Sequence, residues 1–470
     1  MSGKVFTEEE QELFAALSGD RNPLHMDMVL ARRLLFGRRV VHGVHLLLWA
    51  LDCAVDGGRE ITGLTAHFKA PLGLGEPVDC QIEGAGQDKF RLTLRNGEQL
   101  IAFADVTVAP LGDVGGPAIP GGDPSQPCRV RMAGELSSAC GSLDLTLDGR
   151  LARALFPRLA QGLPPHRLAF LLATTRLIGM ECPGLHSVFA HLDVRYSPCS
   201  PAAPARLAWR VKDYAERFSR LAIAVDGPGC SGIATAFLRP PPRHQPSFAA
   251  MRGQVSPQAF LGQRALVIGG SRGLGELCSK LLAAGGASVR LTYHQGAVDA
   301  AAVRDDIVEG GGDADISPYD VLGPAAALLA GFGEGWFPSH LYYFATPAIT
   351  GNAARFSTGK LETLCRYYAG SFVQLAIEVR KVARGGLSVF YPSSVAVENP
   401  PANMMEYATA KAAGEAACRL LMARDEGLRI VVERLPRLPT DLTSSIIPVA
   451  AADPLPLLRD ILSRMATAED

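Results

Sequence analysis

The chain lacks an excess of charge of either sign. Its Lys and Arg number 46 against 47 Asp and Glu in 470 residues, a formal net charge of −1. Nothing electrostatic therefore draws it to DNA, RNA or an anionic membrane surface. It also lacks long hydrophobic runs: no apolar stretch reaches the roughly 18 residues of a spanning helix, so no membrane partner is expected. The opening Met-Ser-Gly-Lys-Val-Phe-Thr-Glu-Glu-Glu is too acidic and polar for a secretory signal. Its ten cysteines are scattered from Cys53 to Cys418, with no CxxC pair and no His/Cys spacing suited to zinc. Reduced, mostly buried thiols, a cytoplasmic location and no metal are the expectations.

What is present is an ordinary folding composition, 48% hydrophobic and 20% charged, at a length that suits about three domains. Two stretches cannot hold regular structure. Residues 112–127 are rich in Gly and Pro, and Arg239-Pro-Pro-Pro-Arg-His-Gln-Pro246 reads as a stiff spacer. The segment before the first, 1–112, has an apolar helical run over 41–55. Extended stretches follow at 64–70, 77–83, 90–95 and 99–109, alternating apolar with polar residues as in Phe90-Arg-Leu-Thr-Leu-Arg95. One helix followed by an antiparallel meander implies a sheet wrapped around a helix. Segment 128–240 repeats that plan, with a helix over 166–180 and strands near 186–196, 206–212, 218–225 and 233–238. Segment 259–470 alternates strand and helix, the pattern of a parallel doubly wound sheet. The fold class expected is thus α+β in the first half and α/β of the Rossmann type in the second.

Two chemical signatures stand out. The first is Ser18-Gly-Asp-Arg-Asn-Pro-Leu-His25, with His42-Gly43 opening the apolar helix. Asp20 and His25, in a loop punctuated by Gly19 and Pro23, can share one water, with His25 as base and Asp20 as orienter. Asn22 could fix the Asp or the water, and the helix N-terminus at Gly43 suits an enolate oxyanion. The string Leu17-Ser-Gly-Asp-Arg-Asn-Pro-Leu-His25, with Ala31-Arg-Arg33 and Val40-Val-His-Gly43, resembles the MaoC-like (R)-specific enoyl-thioester hydratases over about the first 110 residues. The resemblance implies a hot-dog fold, Asp20 and His25 as the catalytic pair, and Gly43 as oxyanion donor. Segment two has no such string and looks like a degenerate second hot dog that shapes an acyl tunnel. Its His166 and His186 have no carboxylate in a suitable loop and read as structural.

The second signature is a glycine-rich turn, Gly269-Gly-Ser-Arg-Gly-Leu-Gly275, between an apolar strand and a helix, followed by Ser394 and by Tyr407-Ala-Thr-Ala-Lys411. Such a turn cradles a pyrophosphate against the helix N-terminus. Together these residues resemble the short-chain dehydrogenase/reductase family. The resemblance implies Tyr407 as proton donor, Lys411 one helical turn on to lower its pKa, and Ser394 to hold the substrate carbonyl. Ser394 stands 13 residues before Tyr407, a spacing that Ser393 misses by one. Gly269, Ser271, Arg272, Gly273, Leu274, Gly275, His294, Asp320, Ala345 and Thr440 are the expected cofactor contacts. Arg272, with no acidic residue closing the second strand at Leu291-Thr-Tyr-His294, favours NADPH. Departures from the family are Ile268 for Thr, Tyr343-Phe-Ala-Thr346 for the Asn-Asn-Ala-Gly stretch, Pro436-Arg437 for Pro-Gly, and Arg366-Tyr-Tyr-Ala-Gly-Ser371 where a catalytic Asn is usual.

Both chemistries act on the α and β carbons of an acyl thioester. The combined expectation is a bifunctional, self-associating enzyme that takes an acyl-CoA or acyl carrier protein thioester. It would reduce a 3-oxoacyl group and dehydrate the (R)-3-hydroxyacyl product. Two narrower readings stay open: a hydratase with an inactive nucleotide-binding domain, and a non-catalytic acyl-thioester-binding scaffold.

Overall fold

A computed structural model describes residues 2–466 apart from 56–57, 85, 111, 113–114, 333–334, 350–355 and 447–448. Asp113 and Val114 of the Gly/Pro-rich stretch thus lie outside the described residues. The chain divides into two compact units, Met1–Pro241 with Ser445–Pro448, and Pro242–Ser444 with Val449–Asp470.

The first unit is built on one sheet of ten strands: β1 (Ser2–Val5), β2 (Arg59–Phe68), β3 (Pro77–Glu83), β4 (Lys89–Asn96), β5 (Gln99–Pro110), β6 (Cys140–Asp144), β7 (Ser187–Tyr196), β8 (Arg206–Ala215), β9 (Arg220–Gly227) and β10 (Cys230–Leu238). Their order across the sheet is β1-β3-β4-β5-β2-β7-β10-β9-β8-β6. The second five repeat the first five in mirror sequence. The seam is the antiparallel pair β2–β7, in register from Gly63 with Arg195 to His67 with His191. Alternation places Leu92 and Leu94 of β4 inside and leaves Arg91 outside, as a one-sided sheet requires.

Each half contributes a central helix. Gly43–Ala54 is buried without a break from Val44 to Leu51, and Pro165–Arg176 from His166 to Arg176. A helix buried all round belongs inside, and here sheet and helices share one apolar core. The helix read over 166–180 leaves the α-helical pattern at Arg176 and continues as a π-turn, Leu177–Glu181. The strand read from 218 begins instead at Arg220, because Glu216–Phe218 form a 3-10 turn closed by Ser219 at φ 49°. The short strands β1 and β6 were not legible, since four or five exposed edge residues carry no alternation to read.

The second unit holds β11 (Arg264–Ile268), β12 (Ser288–Tyr293), β13 (Asp313–Pro318), β14 (His340–Tyr343), β15 (Leu387–Ser394) and β16 (Leu428–Leu435). All pair in parallel, in the order β13-β12-β11-β14-β15-β16. Strand order reverses between β11 and β14, the position where doubly wound sheets open a crevice at the strand C-termini. The single helix read over 361–382 is interrupted by a π-turn at Arg366–Ser371. Among the described residues no helix is long and apolar enough to cross a membrane, and all ten cysteines are free.

Candidate active sites

The acid/base loop is built by local rules. The Glu8–Ser18 helix starts in a Thr7/Glu10 capping box and stops at Gly19, which is left-handed at φ 76°. A side chain there would press on Pro124 O at 2.7 Å. The turn sends Asp20 inward, where it is 1% exposed. Asn22 then caps a single helical turn, Pro23–Met26, with Pro at its start. His25 therefore sits on a helical turn and not in the open loop the sequence suggested.

The Asp20 carboxylate accepts from Thr175 Oγ1 at 2.6 Å on Oδ2 and from Asn22 N at 3.2 Å on Oδ1. His25 Nδ1 lies 2.8 Å from Val40 O. A carbonyl only accepts, so Nδ1 carries the proton and Nε2 keeps its lone pair. His42 stacks on His25 with ring centroids 3.8 Å apart and donates Nε2–H to Asp20 O at 2.9 Å. Functional atoms of Asp20, His25 and His42 all lie within 4.8 Å of one another. Burial raises the Asp20 carboxyl, with the His25 charge and the Thr175 bond pulling it back. Burial lowers His25, opposed by Asp20 and the Val40 bond and reinforced by Arg239. His42 is driven well below the usual histidine range by burial. The site thus favours a neutral imidazole beside a carboxyl group, the state a general base needs.

Asn22 bonds Asp20 through its backbone N–H and uses its side chain elsewhere. Its side chain does not reach Asp20; Nδ2 donates to Gly179 O at 2.7 Å and to Gly184 O and Leu185 O at 3.3 Å, and Oδ1 accepts from Leu24 N. It fastens the loop to the second half of the sheet. Sequence reasoning missed Thr175 and Gly179, which supply this contact from the other half. A Cβ at Gly179 would overlap the Asp20 carboxylate, so only glycine admits it. The only trace in the sequence was Thr174-Thr175 after the apolar run 168–173, too weak to read.

Asp20 and His25 open on a cavity of about 260 Å³. Gly43 lines it as the first residue of its helix, and a Cβ there would press on the Phe68 ring at 3.0 Å. Both halves of the sheet contribute walls: Leu46, Phe68 and Leu72 from one, Ile178, Phe189 and Phe237 from the other. His166 is buried, with Nε2 3.8 Å from Cys199 Sγ, and His186 Nδ1 is buried with no hydrogen-bond partner among the described residues. Neither lines this cavity.

In the second unit the glycine turn follows β11. Gly269 and Gly273 are left-handed at φ 78° and 60°, and a Cβ on Gly275 would overlap Gly269 O. Three positions thus demand glycine, and the Gly273–Ala284 helix begins at Arg272 without a side-chain cap. Ala345 N and Thr440 flank this turn, 3.2 Å and 3.8 Å from the places that Cβ atoms on Gly269 and Gly273 would take. Ser271 is buried, and Leu274 follows it on the helix. Arg272 pairs with Asp441 at 3.6 Å, and His294 with Asp320 at 3.8 Å.

Ser394 ends β15 and is hydrogen-bonded to Tyr407, while Ser393 donates to Glu415 at 2.6 Å. Burial raises the Tyr407 phenol and the Ser394 bond lowers it. Lys411 is buried, donates to Pro392 O at 2.6 Å and lies 3.9 Å from the Tyr368 ring centre. Burial lowers it to about 7. Tyr368, from the π-turn where a catalytic Asn is usual in the resembled family, bonds Thr346 through its hydroxyl at 2.5 Å.

Residues 2–101 match the family described as MaoC like domain. The chain is 27% identical over 131 residues to a 3-hydroxybutyryl-CoA dehydratase of Methylorubrum extorquens, covering 26% of this chain and 78% of that one. It is 37% identical over 86 residues to an (R)-specific enoyl-CoA hydratase of Aeromonas caviae, covering 17% of this chain and 63% of that one. The match thus spans just under two thirds of the second relative. Among solved structures, a short-chain dehydrogenase/reductase from Serratia marcescens is similar at TM-score 0.40 and 18% identity, covering 44% of this chain and 91% of that one. A short-chain dehydrogenase from Burkholderia cenocepacia in complex with NADP is similar at TM-score 0.39 and 23% identity, covering 45% and 94%. Residues 2–101, which carry the Asp20/His25 site, are a MaoC-like domain.

Proposed function

We propose that this chain is a bifunctional acyl-thioester enzyme. It would interconvert (R)-3-hydroxyacyl and trans-2-enoyl thioesters at Asp20/His25 and reduce 3-oxoacyl thioesters at Ser394/Tyr407/Lys411. In this reading 1–112 and 128–240 are the two hot dogs of a double hot-dog, and 259–470 is the reductase domain. The observation that carries it is His25, its Nδ1 spent on Val40 O, beside the buried Asp20 at an apolar cavity headed by the Gly43 helix start.

In the hydration direction His25 Nε2 takes a proton from a water that Asp20 orients, as the water oxygen bonds to the β carbon. The proton is then returned to the α carbon, which leaves the pair as it began. The backbone at Gly43 faces the charge that builds on the thioester oxygen. The apolar walls suit an acyl chain, and the pantetheine carrier is CoA or an acyl carrier protein.

The residues around the glycine turn fit a dinucleotide, because Gly269 and Gly273 give the left-handed backbone and Gly275 the close helix–strand approach that a phosphate-binding turn needs. Ser271, Arg272, Gly273 and Leu274 would hold its phosphates, and Ala345 and Thr440 would flank it. Arg272 is the group suited to the 2′-phosphate of NADPH, in place of its bond to Asp441. When bound, the cofactor supplies a hydride. Tyr407 then gives its proton to the carbonyl oxygen that Ser394 holds, and the Lys411 ammonium favours the phenolate left behind. A shared (R)-3-hydroxyacyl intermediate explains why both sites are on one chain. A cytoplasmic, self-associating enzyme is the setting proposed.

The test is NADPH consumption with acetoacetyl-CoA and longer 3-oxoacyl thioesters, with products identified by mass. Hydroxyacyl and enoyl products, with NADPH loss abolished by Tyr407→Phe, are expected. The Tyr368 ring at Lys411 and the absent Asn favour a second reading, a hydratase whose second unit has kept its fold without its chemistry. Enoyl hydration without any NADPH loss would select it.

A further inference from the structure

The half of the sheet that lacks the dyad touches the reacting carboxylate directly. Thr175 Oγ1 donates to Asp20 Oδ2 at 2.6 Å, and both residues are buried, at 4% and 1% exposure. Thr174 makes the contrast clear. Its hydroxyl is spent on Leu171 O within its own helix at 2.7 Å, which is the ordinary fate of a mid-helix threonine. Thr175 instead reaches out of its helix. The π-turn that follows, Leu177–Glu181, brings the Gly179 carbonyl to Asn22 at 2.7 Å. It also brings Gly179 so close to Asp20 that no larger residue fits.

We infer that Thr175 is a positioning residue for the hydratase reaction: its hydroxyl sets the rotamer of Asp20 and holds the carboxyl ionised toward His25. A hydrogen bond to a charged acceptor is stronger than one between neutral groups, and among the described residues the Asp20 carboxylate has one other donor, Asn22 N. Without the hydroxyl, the carboxylate loses half of these bonds at full burial. The titratable groups facing Asp20 are His25 and His42 from its own half and Cys128 from the segment between the halves. None of them can replace the lost donor while His25, His42 and Cys128 stay bonded to Val40 O, Asp20 O and Gly179 O. This inference rests on the functional reading above and extends it to the second half of the sheet.

The experiment is steady-state hydration of crotonyl-CoA by the full chain and its variants across pH. Thr175→Val removes the hydroxyl at nearly constant volume. It should lower kcat by about 10- to 100-fold with KM little changed, and move the acid limb of the kcat profile to higher pH. Thr175→Ser should restore most of the rate. Thr174→Val, which breaks only a bond within its helix, should leave kcat and the profile unchanged. Should Thr175→Val fold poorly by thermal melting, Thr175→Ala must show the same fall and the same shift. Wild-type kcat and profile in a folded Thr175→Val or Thr175→Ala would overturn the inference while hydratase activity itself stands. No hydration by the wild-type chain would overturn the functional reading, and this role with it.

Discussion

The two halves of the ten-stranded sheet share a plan and differ in where the carboxylate sits. In the first half the loop after the Glu8–Ser18 helix carries Asp20, and the helix facing it offers only a hydroxyl, Thr175. In the second half the loop after the Gly149–Leu155 helix has no His or carboxylate, and the carboxylate stands on the facing helix as Asp52. Asp52 Oδ1 accepts from Arg158 N at 2.8 Å and Leu159 N at 2.7 Å, closing the loop like a cap. The same architecture thus yields one carboxylate that caps backbone donors and one left beside an imidazole at a cavity. Both accept two hydrogen bonds, so what separates them is the neighbour: Asp52 closes a loop of its own fold, whereas Asp20 adjoins His25.

The comparison can be broken most sharply at Asp20 itself. Asp20→Asn or His25→Ala should lower enoyl hydration by about 100- to 10,000-fold, the usual worth of acid/base groups, without lowering the melting temperature. Loss of folding in both variants would return the loop to a purely structural role. Next in size is the contrast between units. Tyr407→Phe should abolish NADPH consumption and leave crotonyl-CoA hydration at the wild-type rate; a parallel fall in hydration would refute independent sites. The counterpart carboxylate should behave in the opposite way to Asp20. Asp52→Ala should cost about 1–2 kcal/mol of stability in urea unfolding and leave kcat unchanged, and a large kcat loss would contradict its role as a cap.

The smallest effect concerns pH. His45 lies against Phe6, Phe14 and Phe156 in the core of the first unit, and burial lowers it to about 3 from 6.5. Between those values the unfolded chain binds the proton and the folded one does not, so stability is full above about 6.5 and is lost progressively as pH falls toward 3. His45→Phe should flatten that part of the pH–stability curve. An unchanged slope would place the acid sensitivity elsewhere.

Much of the fold was legible because pattern and burial agree. The alternation in Phe90–Arg95 gave β4, and apolar stretches such as 46–51 and 168–173 gave the two central helices, since a helix with so wide an apolar face must be wrapped. The glycine turn was legible because left-handed backbone and close approach demand glycine, and the pair Tyr407 and Lys411 because its spacing sets the two one turn apart on a helix. What escaped was set by contacts between distant segments. Neither π-turn could be read, because the register slip that places Gly179 and Tyr368 is rewarded only by partners far along the chain. The side-chain partners of Asn22 escaped for the same reason: its amide is used on carbonyls more than 150 residues away.

The sequence alone determined the residue types of both sites, the glycines their backbones require and the order of the elements. Those are choices made within a few residues, where propensity and sterics act directly. Only the tertiary structure decided which imidazole nitrogen keeps its lone pair and that a threonine from the silent half holds Asp20. Hydrogen bonds and burial are settled by what is packed alongside, and a buried polar group takes whichever partner the fold brings within reach.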